Sequence, residues 1–171
     1  MPRYVALLRA VNVGGTGKLP MATLKAMCGE AGFAEVETYI ASGNVVFTAE
    51  APPAAVKAAL EARLLSYAGK PIGVALRTAA EIAAVLANNP FPNRAAARTV
   101  AIFLDRPPAP DALVHAKGVA AEEMRLGMRE IYVHYGDGMG TSKLRIPAAR
   151  DGTARNINTV AKLAAMAASQ R

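Results

Sequence analysis

The sequence predicts an α+β protein, with a ferredoxin-like β-α-β-β-α-β first half followed by a second, related β-α-β-β-α half. Three observations predict it. Runs with the period of strands alternate with alanine-rich stretches whose apolar residues recur at helical spacing. Two strand-like runs between residues 36 and 48 are separated only by Ser42, Gly43 and Asn44, residue types of a tight hairpin turn. The order of elements then recurs after the loop 88–93, which holds two prolines and three asparagines. The echo is one of element order, since the halves share no clear sequence repeat.

Residues 4–11 read as a strand, and 20–31 as an amphipathic helix begun by Pro20, which suits a first helical turn. Residues 36–41 and 45–48 are the two hairpin strands. Pro52 and Pro53 open a helix running to about residue 68, with Val56, Leu60, Leu64 and Tyr67 on one face, and 72–76 returns as a strand. A helix over 79–87 and the loop 88–93 connect the halves, so the domains are 1–78, a connecting 79–98, and 99–171. In the second half 99–104 is a strand, a proline-rich stretch leads to a helix near 111–117, and 122–128 with 131–135 forms a hairpin. Met124, Leu126 and Met128 alternate there with Arg125, Gly127 and Arg129, the period of a half-buried strand. The last element is a helix over 156–168, with Ile157, Val160, Leu163 and Ala164 inward.

At 171 residues and 53% apolar content the chain can bury a substantial core. Much of that content is alanine, and no stretch approaches the roughly 20 apolar residues of a spanning helix. The first residues read as a strand and not as a signal peptide, so a cytoplasmic protein is expected. The one cysteine, Cys28, lies on the apolar face of the 20–31 helix and is expected to be a packed core thiol. His115 and His134 stand alone, and no Cys/His cluster has metal-ligand spacing. Neither a metal nor a cofactor is expected.

Five motifs carry a resemblance. Residues 4–15 (YVALLRAVNVGG), 18–21 (KLPM) and 39–47 (YIASGNVVF) near the start, and 138–144 (GMGTSKL) and 154–159 (ARNINT) near the end, resemble the motifs of the bacterial domain of unknown function 1697 family. The resemblance spans essentially the whole chain and implies a two-part α+β architecture. It implies no activity. Where a typical member has Gly after Arg9 and Trp after Asn156, this chain has Ala10 and Ile157.

The same polar, glycine-bearing segments carry nearly all the positive charge. Of the net +7, residues 1–29 contribute +4 and 138–171 contribute +5, leaving the middle at −2. The 12–18 loop is not a triphosphate-binding loop of the usual kind: its first glycine would fall at Asn12 and its magnesium-binding hydroxyl at Leu19. Glycines still let backbone N–H groups converge on an anion. Basic side chains are disfavoured near helix N-termini by about 0.3–1 kcal/mol. Yet Lys18 precedes the first helix, Lys143 follows Ser142 at a predicted helix or turn start, and Arg155 stands where the final helix begins. An anion would resolve three such starts.

The sequence is therefore read as binding a small phosphorylated or nucleotide-like ligand in a basic cleft between its halves, as a sensor or a phosphate-chemistry enzyme. Opening-motif residues assigned to that ligand are Arg9, Asn12, Gly14, Gly15, Lys18, Ser42 and Asn44. The closing motifs supply Ser142, Lys143, Arg155, Asn156 and Asn158. Structural readings stand beside these: Ser42, Gly43 and Asn44 as a hairpin closure, Asn156, Asn158 and Thr159 as a helix cap. Asp137, the acid beside the closing glycines, is a candidate general base. Nucleic-acid binding is the alternative, from a pI near 9.9 and the ferredoxin-like half, with Tyr4, Tyr39 and Phe47 on the relevant strands. A scaffold or oligomerisation unit is a third reading. The sequence leaves oligomeric state, ligand identity and catalysis open.

Overall fold

The computed structural model describes residues 2–12 and 18–168. Within them the chain forms two four-stranded antiparallel sheets and four α-helices. It divides into two compact units, Met1–Ile82 with Leu163–Arg171, and Ala83–Lys162.

The first unit holds β1 (Arg3–Leu8), α1 (Met21–Glu30), β2 (Ala34–Tyr39), β3 (Asn44–Thr48), α2 (Pro53–Ala68) and β4 (Val74–Thr78), its sheet ordered β2-β3-β1-β4. Strand alternation sends Tyr4, Ala6 and Leu8 into one core with Val45 and Phe47, against Leu24 and Cys28 of α1 and Val56, Leu60 and Leu64 of α2. The four-residue spacing on α2 is the stripe a sheet-covering helix presents. Ala68, not Tyr67, continues that stripe: Tyr67 is 47% exposed while Ala68 packs on the core. Val5 and Leu7 on the other face of β1 are also fully buried, which is why this strand is a continuous apolar run. In β2 the register shifts between Ala34 and Glu37, and Glu35 takes φ +51°, the geometry of a bulge.

The second unit holds β5 (Thr99–Phe103), β6 (Glu123–Leu126), β7 (Glu130–His134) and β8 (Thr153–Asn156), ordered β6-β7-β5-β8. Each sheet thus has the same spatial order of first, second, third and fourth strands. Val100, Ile102, Ile131, Val133 and Ile146 form this unit's core on one sheet face. The chain passes between units within α3 (Ala79–Ala87) and α4 (Ile157–Ala168). Ile157, Val160, Leu163 and Ala164 are buried, as their spacing predicts.

Two sequence expectations are corrected here. The helix expected near 111–117 is a single 3-10 turn, Ala112–His115, because Lys117 is drawn into an extended backbone pair with Arg145. The strand β8 was not expected, although the final helix begins at Ile157, within one residue of its expected start; only Thr153 in β8 is β-branched, and its extended form rests on pairing with β5.

The buried Cys28 thiol is pushed up to about 12 by desolvation, and the Tyr132 phenol, by burial and then the Glu130 charge, also to about 12. In the unfolded chain these groups ionise near about 8.5 and 10. Their contribution is complete below those values and is lost as pH rises toward the folded ones. Urea midpoints are expected to hold steady near neutrality and fall from about pH 9 upward. Cys28 is expected to resist thiol reagents until the protein unfolds; rapid labelling of native protein would contradict its burial.

Candidate functional site

The opening motifs are brought together at one end of the first sheet, held by internal hydrogen bonds. Asn12 donates through Nδ2 to the carbonyls of Leu19 (2.8 Å) and Ala41 (2.7 Å) and accepts from Leu19 N–H at 2.7 Å. Asn44, fully buried, donates to Tyr39 O at 2.8 Å and Ser42 Oγ at 2.9 Å. Leu8 N–H donates to Gly43 O at 2.8 Å, which seats the hairpin turn against the end of β1. The side chains of Asn12, Ser42 and Asn44 therefore close loops. Arg9 and Lys18 are exposed, and Gly14 and Gly15 lie outside the described residues.

Ala10 has φ +56°. That is the position where the resembled family carries Gly, and an L-residue there is disfavoured by about 1–2 kcal/mol. Ala10→Gly is expected to raise stability, by up to about 1 kcal/mol after the extra unfolded-state entropy of glycine. A fall in the urea midpoint would show that this backbone conformation carries no strain.

The closing motifs separate. Arg155 lies in β8 opposite Ala101, so strand alternation puts it on the sheet face opposite Ile102. It is not a helix-start cation. Its guanidinium donates to Ala154 O at 2.9 Å, and desolvation lowers it to about 10. Asn156 caps α4, its Oδ1 accepting from Thr159 N–H at 2.9 Å. Asn158 is exposed on the first turn of α4. Lys143 also stands at no helix start: Ser142 ends the 3-10 helix Gly136–Thr141 and the chain continues extended. Asp137, the candidate base, is ion-paired with Arg98.

Ser142 and Lys143 do share a recess of about 200 Å³ with Glu122, Thr141 and Tyr135. Ser142 Oγ donates to Glu122 and accepts from Leu144 N–H at 3.2 Å. Glu122 is held below the usual carboxylate range by the Ser142 hydroxyl and by the Ala120 N–H. The Tyr135 phenol is pushed up, by burial and then by the Glu122 charge, so it stays protonated and can donate.

Tyr135 also lines a second, larger cavity of about 540 Å³. Its cations are Lys117, Arg145 and Arg150; its apolar walls are Ile102, Leu144, Ile146, Pro147 and Ala149. Among the described residues no acidic side chain lines it. Lys117 and Arg145 exchange both backbone hydrogen bonds at 2.8 Å, which sets two cations directly opposite each other. Residues 117, 145 and 150 lie in no shared sequence motif, and it is the bridge that makes neighbours of Lys117 and Arg145.

Tyr4 and Phe47 are 2% and 0% exposed, so neither presents a ring on which a nucleic-acid base could stack. Among the described residues no helix is long and apolar enough to cross a membrane, and no group of three or more His, Cys, Asp or Glu could hold a metal ion.

The family described as protein of unknown function DUF1697 matches residues 1–132. The chain belongs to that family. The match takes in the three opening motifs of this DUF1697 chain and ends before the closing ones. None of the curated proteins matches it. Among solved structures it is similar to the conserved bacterial protein SP0830 from Streptococcus pneumoniae, at 26% identity over 99% of each chain with a TM-score of 0.80. That likeness carries past residue 132, through the cavity and both closing motifs of the DUF1697 chain.

Proposed function

We propose that this protein binds a small anionic ligand in the cation-walled cavity of its second unit. The observation that carries this reading is the Lys117 and Arg145 pair. Like charges directly opposite in an antiparallel pair are destabilising, yet Lys117 and Arg145 line one cavity that, among the described residues, no acid lines. An anion turns that repulsion into attraction, and Arg side chains can meet phosphate oxygens with two parallel hydrogen bonds. Ser142 and Lys143 lie apart from this cavity, in the recess beyond Tyr135, where the Ser142 hydroxyl is spent on Glu122.

Millimolar phosphate or sulfate is expected to raise the melting temperature of the parent. Arg145→Ala and Arg150→Ala should each weaken phosphate binding by about ten- to a hundredfold, the worth of a hydrogen bond between charged groups at about 1.5–3 kcal/mol. The ligand-free Arg145→Ala protein should keep or slightly gain stability, because a like-charge pair is removed. Absence of any anion effect on the parent would sink the proposal.

The shared strand order supports a further part of this reading, that each unit is a ferredoxin-like half, with 79–98 as the connection. In the second half 3-10 turns and extended segments stand where the first has α1 and α2. Ile102, from the core face of that sheet, lines the cavity.

A further inference from the structure

Resting on that reading, we infer that the ligand is a phosphate or diphosphate ester of an apolar alcohol, with an aryl or short hydrocarbon body, and not a sugar phosphate or a nucleotide. The cavity sorts its chemistry sharply. Apart from the three cations, Tyr135 supplies the one polar side chain; the other walls are aliphatic. There is no Asn, Gln, Ser, Thr, Asp or Glu among them to pair with a hydroxyl or with the edge of a base.

The backbone around the cavity is also largely occupied. Lys117 and Arg145 spend N–H and C=O on each other, and the carbonyls of Ile146, Pro147 and Ala149 accept from Ala149, Arg150 and Gly152. A sugar ring entering here would lose water from several hydroxyls without replacement partners, a penalty that recurs with each group. A hydrocarbon body meets Ile102, Leu144 and Ile146 and gains from leaving water. The opposed Lys117 and Arg145 match a headgroup carrying two or more negative charges better than a single carboxylate. The cavity, at about 540 Å³, is within the usual size of small-molecule sites and far larger than a bare phosphate requires.

The test compares 1-naphthyl phosphate, geranyl diphosphate, glucose 6-phosphate and inorganic phosphate by calorimetric titration of the full chain. The two hydrocarbon esters are expected to bind at least about tenfold more tightly than inorganic phosphate, and glucose 6-phosphate no more tightly than inorganic phosphate. Leu144→Asn should shrink the naphthyl advantage while leaving inorganic phosphate binding in place. Ala149→Ser, a smaller change at a half-buried position, makes the same comparison if Leu144→Asn does not fold. Glucose 6-phosphate binding as tightly as 1-naphthyl phosphate, or a naphthyl advantage unchanged in both variants, would overturn the ligand class. If inorganic phosphate binds and Arg145→Ala abolishes it, but the hydrocarbon esters gain nothing, the class fails and the anion site stands. If none of the four binds, both fail.

Discussion

Gly118→Ala is expected to destabilise the protein by about 3 kcal/mol or more and to remove its response to phosphate. Gly118 has φ +70°, and a Cβ built there would lie 2.2 Å from the Lys143 carbonyl oxygen and 2.8 Å from its carbon. The left-handed backbone alone disfavours alanine by about 1–2 kcal/mol, and overpacking adds about 1–3 kcal/mol. The obstacle is backbone, so a side-chain rotation cannot relieve it. The chain can escape only by parting 117–118 from 143–145, which breaks both hydrogen bonds of the Lys117 and Arg145 bridge. That bridge aligns two of the three cavity cations, so stability and anion binding should fall together. Urea denaturation with and without phosphate checks both, and a Gly118→Ala protein with the parent's midpoint would show that residues 117–118 are not held against 143–145 as described.

Gly43→Ala is expected to cost the first unit a comparable amount, about 3 kcal/mol, with no direct effect on the cavity. Gly43 is buried with φ +92°, and an added Cβ would meet Val11 Cγ2 at 2.6 Å and Leu8 Cβ at 2.9 Å. Leu8 is fully buried and Val11 1% exposed, and a Cβ cannot move without its backbone. To accept the methyl, β1 would have to withdraw from the hairpin turn and surrender the Leu8 N–H bond to Gly43 O. The strain terms are those of a left-handed alanine and an overpacked core. Thermal unfolding should show a drop of roughly 6–12 °C for a chain of this size. If phosphate still raises the melting temperature of the Gly43→Ala protein, the two glycines are separated in role, Gly43 serving the first unit and Gly118 the second.

The elements of the first unit were legible because each is specified locally. Pro20 and Pro53 start helices whose core residues recur every three or four positions, and β1 and β3 are apolar runs bounded by turn residues. In the second unit the local signals are weaker. The four residues of β8 carry little strand propensity and become a strand because β5 offers an open edge. The pairing of Lys117 with Arg145 stops a helix that periodicity alone would extend to residue 117. The polar motifs stand out in the sequence, and the structure gives their side chains different surroundings. Asn12, Ser42, Asn44 and Asn156 satisfy backbone groups, while Ser142 and Lys143 line a recess.

By itself the sequence determined the α+β class, the helical faces, the family and the concentration of positive charge at the two ends. Those properties are read from neighbours along the chain, where propensity, capping and periodicity act. Only the tertiary structure decided that Lys117, Arg145 and Arg150 share one cavity and that Arg155 lies on the sheet face opposite Ile102, which lines that cavity. A backbone bridge between residues 28 positions apart and the two-residue alternation of a strand set those placements, and both depend on which segments pair, which no local pattern in this chain encodes.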